Sequence, residues 1–149
     1  ESDIQRGDDP LEARDHEPSH AQKDPSVVFH EGRWHVFMTV KLPGRSAIEH
    51  CSFTRWEDAD ASPRSLLEVS DSDYFCAPQV FYYRPHRQWY LVYQVGVPGQ
   101  DKMWVAYSTT PDIDAPGTWT RARPMPKPRP MPPCKPRWSG WPGWTWASR

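Results

Sequence analysis

The chain has 149 residues and a formal net charge of −1. That length accommodates one ordinary domain, and a near-neutral balance excludes the strongly basic footprint of a nucleic-acid binder. No apolar run near either end is long enough for a signal or membrane-spanning segment, which points to a soluble chain, and the opening on Glu1 rather than methionine suggests a start further upstream. The average charge hides a division: residues 1–125 carry 13 basic and 19 acidic residues, whereas residues 126–149 carry five basic and no acidic ones.

Residues 1–22 are acidic, poor in apolar side chains and without period, as expected of an irregular lead-in. His16 and His20 stand at an i, i+4 spacing, but Pro18 between them opposes the helix that would make them joint metal ligands. The pattern changes at Lys23-Asp24-Pro25. Ser26 to His30 reads as a first strand, Glu31-Gly32 as a tight turn needing positive φ, and Arg33 to Val40 as a second strand with large side chains on both faces. Such a strand suits a sheet sandwiched between neighbours. After a turn at Leu42-Pro43-Gly44, Ser46 to Phe53 reads as a third strand and Leu66 to Val69 as an outer fourth.

The same order then recurs. Ala77-Pro78-Gln79-Val80-Phe81-Tyr82 corresponds to Asp24-Pro25-Ser26-Val27-Val28-Phe29, and Trp89-Tyr90-Leu91-Val92-Tyr93 to Trp34-His35-Val36-Phe37, with the two prolines 53 positions apart. Gln79 to Tyr83, a turn at Arg84 to Arg87, Gln88 to Val95, Lys102 to Ser108 and Thr118 to Arg121 form the predicted strands of this copy. A repeat of short strands at about 40 to 50 residues marks propeller blades. Two blades are fewer than the roughly four to eight that close a propeller, so the expectation is all-β, a partial propeller, and a fragment of a larger ring.

The strand pattern stops at residues 126–149, which hold seven of the 18 prolines and four of the nine tryptophans. Proline at this density removes ladder donors and excludes a third blade. A shift of reading frame in a GC-rich gene accounts for such a tail, and a polyproline recognition segment is the other reading. The expected organisation is therefore a lead-in at 1–22, two blades at 23–125 and a Pro/Trp-rich tail at 126–149.

Cys51, Cys76 and Cys134 have no metal-ligand spacing and cannot all pair within one chain. A bridge between Cys51 and Cys76 is conceivable, but buried free thiols are the plainer expectation. The run Arg55 to Asp60 reads as a solvated loop, and the aromatics Phe29, Trp34, Phe37, Phe81, Tyr82, Tyr83, Trp89, Tyr90 and Tyr93 as blade packing with sugar stacking as the alternative. His30, His35, His50 and His86 show no ligand grouping; no cofactor is called for, although a metal ion at the propeller axis stays open.

The residues placed for chemistry are those opening the innermost strands. Pro25 is expected to bias Asp24 towards an extended backbone, aiming its carboxylate into the central funnel beside Lys23 and opposite Gln79. There the carboxylate can accept a proton from water. The structural alternative is that Asp24 only caps the strand.

Together, Lys23-Asp24-Pro25-Ser26-Val27-Val28, Trp34-His35-Val36-Phe37, Ala77-Pro78-Gln79-Val80-Phe81-Tyr82, Trp89-Tyr90-Leu91-Val92-Tyr93-Gln94 and Tyr107-Ser108-Thr109-Thr110-Pro111-Asp112-Ile113 resemble the first two blades of family 62 glycoside hydrolases. The related family 43 is the second choice, and Gln79 in place of its usual glutamate favours family 62. The resemblance implies a five-bladed propeller that removes α-L-arabinofuranosyl side chains from arabinoxylan with inversion. It makes Asp24 the catalytic base and Lys23 a contact to arabinose hydroxyls. It assigns the general acid and a pKa-tuning aspartate to later blades, which would leave this chain inactive alone, and implies a polysaccharide substrate (arabinoxylan or arabinan) and an extracellular location. A carbohydrate-binding or scaffold protein built on the partial propeller, and an interaction protein working through its tail, are the competing readings.

Overall fold

The computed structural model describes residues 21–126, so His16, His20, Cys134 and nearly all of the predicted lead-in and tail lie outside the described residues. What is described is all-β: two four-stranded antiparallel sheets in simple meander order, joined by short 3-10 turns.

The first sheet comprises β1 (Ala21–His30), β2 (Arg33–Leu42), β3 (Arg45–Phe53) and β4 (Arg64–Leu66). The β1–β2 turn places both Glu31 (φ 46°) and Gly32 (φ 79°) in the left-handed region, the mirror-image turn whose twist matches that of the flanking strands. The second sheet comprises β5 (Phe75–Tyr83), β6 (Gln88–Gly96), β7 (Met103–Thr110) and β8 (Arg123–Pro124). Its first hairpin closes through a 3-10 turn at Arg84–His86, ending on Arg87 at φ 50°.

Each inner strand is longer than its sequence pattern indicates: β1 begins five residues before Ser26, and β5 four before Gln79. The outer strands lie elsewhere than expected. β4 ends at Leu66, where the prediction began; the Leu67 amide still donates to the Ile48 carbonyl of β3 at 2.8 Å, and Leu67 and Val69 are both buried. Thr118 to Arg121 is not a strand; the pairing to β7 comes from Arg123 and Pro124. Short edge strands carry too few residues for alternation to declare them.

The two sheets stack face to face. Leu91, Tyr93 and Val95 of β6 are buried towards the first sheet, and β2 is covered on both sides, as its two-faced pattern requires. Phe37 of β2 meets Trp119 edge-on at 5.8 Å, and His30 meets Trp89 at 5.0 Å, joining the two sheets through aromatic packing. On the opposite side of the first sheet, Trp56 packs against Trp34 and Phe53. The charged run Arg55 to Asp60 carries this tryptophan and is exposed throughout, Trp56 included, apart from Ala59. Cys51 and Cys76 are buried and unbridged; burial pushes the Cys51 thiol above its ordinary value.

Candidate active site

Both inner strands break register at the same point. Lys23 pairs with Thr39 and Ser26 with Phe37, so Asp24 and Pro25 together oppose Met38 alone; Cys76 pairs with Gln94 and Gln79 with Val92, so Ala77 and Pro78 oppose Tyr93 alone. These are β-bulges, one extra residue per strand, which bend the strand and re-aim side chains. Asp24 sits at φ 55° and Ala77 at φ 54°. The expectation of an extended Asp24 is thus overturned. Proline disfavours the right-handed helical region for its predecessor, and the bulge takes both predecessors into the left-handed region instead.

Left-handed backbone is tolerable for aspartate but strained for alanine, which gains nothing from a short polar side chain. Ala77→Gly is therefore expected to raise stability by about 1 kcal/mol. A urea titration reads this directly, and an unchanged or lower midpoint would show that the bulge carries no strain at Ala77.

One hydroxyl joins the two bulges. Thr39 Oγ1, fully buried on β2, accepts from the Ala77 amide at 2.8 Å and donates to Asp24 Oδ2 at 3.2 Å. Two residues further along β1, the Ser26 hydroxyl accepts from the Val80 amide at 2.9 Å. Hydroxyls of the first sheet thereby satisfy backbone donors of the second, holding the innermost strands side by side. Lys23, Asp24 and Gln79 are all solvent-exposed. The described residues place Asp24 and Ala77 at a common hydroxyl, with Gln79 two residues beyond Ala77 on the same strand.

Two features escaped sequence reasoning. Tyr74, just before β5, has its phenol pushed up first by the neighbouring Cys76 side chain, then by partial burial and the charge of Asp24, so it lies within electrostatic reach of the candidate base. Its backbone carbonyl accepts from the Gly96 amide at 2.7 Å, and a Cβ on Gly96 would come within 3.1 Å of the Tyr74 Cβ. A larger residue there would require Tyr74 to shift by a few tenths of an ångström.

The second feature is a pair of buried imidazoles, His35 Nδ1 lying 3.2 Å from His50 Nε2 with the rings parallel. His50 also stacks on Phe37 at 4.4 Å. The far nitrogen of His35 faces Asp114 Oδ1, in the connection after β7, at 3.8 Å, and Arg33 Nε reaches the same oxygen at 3.5 Å. Burial pushes His50 down to about 3, the nearby His35 and Arg33 adding to the shift, and burial likewise lowers His35. Both rings are neutral near pH 7. Among the described residues, no group of three or more potential ligands is placed to hold a metal ion.

No family model matches the chain. It is 38% identical over 95 residues to α-L-arabinofuranosidase C of Cellvibrio japonicus, covering 63% of this chain and 14% of that one. The fold matches the catalytic domain of a Coprinopsis cinerea GH62 α-L-arabinofuranosidase with TM-score 0.63 and 41% identity, covering 71% of this chain and 32% of that one. A Podospora anserina α-L-arabinofuranosidase, solved with cellotriose, matches with TM-score 0.62 and 33% identity over the same shares. An arabinofuranosidase from Lactobacillus brevis, at 14% identity and TM-score 0.55, shares the fold alone. The chain thus spans about a third of the length of these family 62 structures and about a seventh of the curated relative.

Proposed function

We propose, starting from a chain similar in sequence and fold to about a third of the family 62 α-L-arabinofuranosidases, that residues 23–125 form two blades of an inverting arabinofuranosidase in which Asp24 is the general base. The observation that carries the reading is that likeness, 41% identity at TM-score 0.63. The exposed carboxylate of Asp24 at the inner-strand bulge gives it a chemical locus.

In this reading Asp24 takes a proton from water as the oxygen attacks the anomeric carbon of an arabinofuranosyl side chain. The bond to the xylan oxygen breaks on the opposite face, and a second carboxyl about 6.5 to 9.5 Å away protonates that oxygen. The resemblance puts this acid in later blades, outside the matched residues. Lys23 and Gln79, exposed near the base, supply hydroxyl contacts to the sugar. Arabinoxylan is the substrate proposed, arabinan the alternative polymer, and the location is extracellular because such polymers lie outside cells.

A leaving group that departs without protonation separates the two roles. The chain is expected to release little arabinose from arabinoxylan, but to turn over a dinitrophenyl α-L-arabinofuranoside slowly, giving sugar of inverted configuration in the first NMR spectra. Retained configuration would contradict the mechanism. No turnover, combined with no arabinose-induced shifts at the amides of Lys23, Asp24 and Gln79, would sink the assignment.

A further inference from the structure

We infer that Thr39 is a positioning residue for the Asp24 carboxylate, fixing which of its oxygens acts as base and making that orientation depend on the neighbouring blade. This rests on the reading of Asp24 given above, but the linkage itself is a matter of geometry. A hydroxyl has one proton to give. Because Thr39 Oγ1 accepts the Ala77 N–H at 2.8 Å, its own proton is directed away from that amide, and the acceptor within reach is Asp24 Oδ2 at 3.2 Å.

The result is a directed chain from backbone N–H to hydroxyl to carboxylate, in which each bond polarises the next. Burial of Thr39 keeps water from substituting for either partner. Asp24 Oδ2 is thereby occupied, while among the described residues Oδ1 carries no hydrogen bond and is the oxygen left to receive a proton from water. Both ends of the chain are bulge residues at positive φ, so the hydroxyl links the two displaced backbone segments, one per blade. Assembly of the second blade onto the first therefore sets the side-chain geometry of the first blade's base.

The test has one arm independent of catalysis. Asp24→Ala, at an exposed position, is expected to move the Ala77 amide proton resonance in the parent chain and in Thr39→Ser, which keeps the hydroxyl, but not in Thr39→Val. An equal displacement in the valine background would overturn the linkage. Thr39→Ser keeps the comparison meaningful should Thr39→Val fail to fold: with the serine variant folded, absence of the displacement there also overturns it.

The second arm is turnover of the dinitrophenyl arabinofuranoside. Thr39→Val is expected to lower kcat about tenfold, the order of effect of losing one orienting hydrogen bond, with KM within about twofold because no sugar contact is removed. Thr39→Ser should restore kcat. If the resonance coupling is lost in Thr39→Val while kcat holds, Thr39 only braces the bulges and the positioning role is overturned. If the coupling is present but Asp24→Asn leaves turnover unchanged, the reading of Asp24 as base fails and the linkage stands.

Discussion

With Asp24 as the proposed base, Asp24→Asn is expected to lower turnover of an activated aryl arabinofuranoside by about 10²- to 10⁴-fold, the usual contribution of a positioned general base, with little change in stability. The amide is isosteric and still accepts from Thr39, but it cannot take a proton at ordinary pH. Asparagine is at home in left-handed backbone, so φ 55° at this position is no obstacle, and the side chain is exposed. Stability should stay within about 0.5 kcal/mol, as for surface substitutions that leave backbone and partners intact. Asp24→Glu keeps the charge but displaces it by one methylene, and a misplacement of about 1 Å is enough to cost roughly a hundredfold. Unchanged turnover in both variants would remove Asp24 from the chemistry; a fall in turnover matched by a fall in thermal midpoint would assign it to structure alone.

Acidification between pH 6.5 and 3 should weaken the fold through the buried imidazoles, and replacing His50 should flatten that dependence. His50 is buried and its proton affinity is depressed to about 3, first by desolvation and then by the charges of His35 and Arg33. In the unfolded chain it titrates near the ordinary histidine value of about 6.5. Between these values the unfolded state holds a proton that the folded state does not, so stability falls as pH falls, by up to about 1.4 kcal/mol per pH unit for one such proton. His35 shifts in the same direction and adds to the slope, moderated by Asp114. Carboxylates also titrate in this range, so the informative quantity is the difference between parent and His50→Phe in urea midpoints from pH 4 to 7. Phenylalanine keeps the stacking on Phe37 while leaving His35 Nδ1 without its partner, so the variant is expected to be less stable near neutrality and less sensitive to acid. Parallel pH profiles for the two proteins would show that the imidazoles do not govern acid sensitivity.

The long hairpins were legible because alternation and turn chemistry agree. Trp34, Val36, Met38 and Val40 against His35, Phe37 and Thr39 left no assignment but a covered strand, and Glu31-Gly32 and Pro43-Gly44 fix the turns that bound it. The bulges were not legible. An X-Pro pair signals extended backbone locally, and the left-handed excursion at Asp24 and Ala77 is set by tertiary pairing with β2 and β6. Asp24 could be singled out from its place at the start of an inner strand. Its partner Thr39, 15 residues away, looked like one more member of an alternating run. His35 and His50 were noticed separately and show no pairing in sequence, because two strands and a hairpin bring them together. The apolar run Leu66 to Val69 reads as an outer strand, whereas only Leu66 and Leu67 bond to β3 and Val69 packs as irregular chain.

The symmetry of the two bulges also governs how copies of the chain can meet. Thr39 and Gln94 hold corresponding register positions, as do Phe37 with Val92 and His35 with Tyr90. In the first sheet this surface is buried against the second. In the second sheet it faces outward, with Phe81, Tyr83, Met103 and Val105 exposed on the same side. In the first sheet the counterpart of this surface packs on a back, that of β6 (Leu91, Tyr93, Val95). Self-association that repeats this packing between copies is heterologous, which produces closed rings or open strings rather than twofold dimers. The corresponding back of the first sheet is capped by Trp56 and its neighbours, so displacement of that segment would decide whether such a chain of copies can grow.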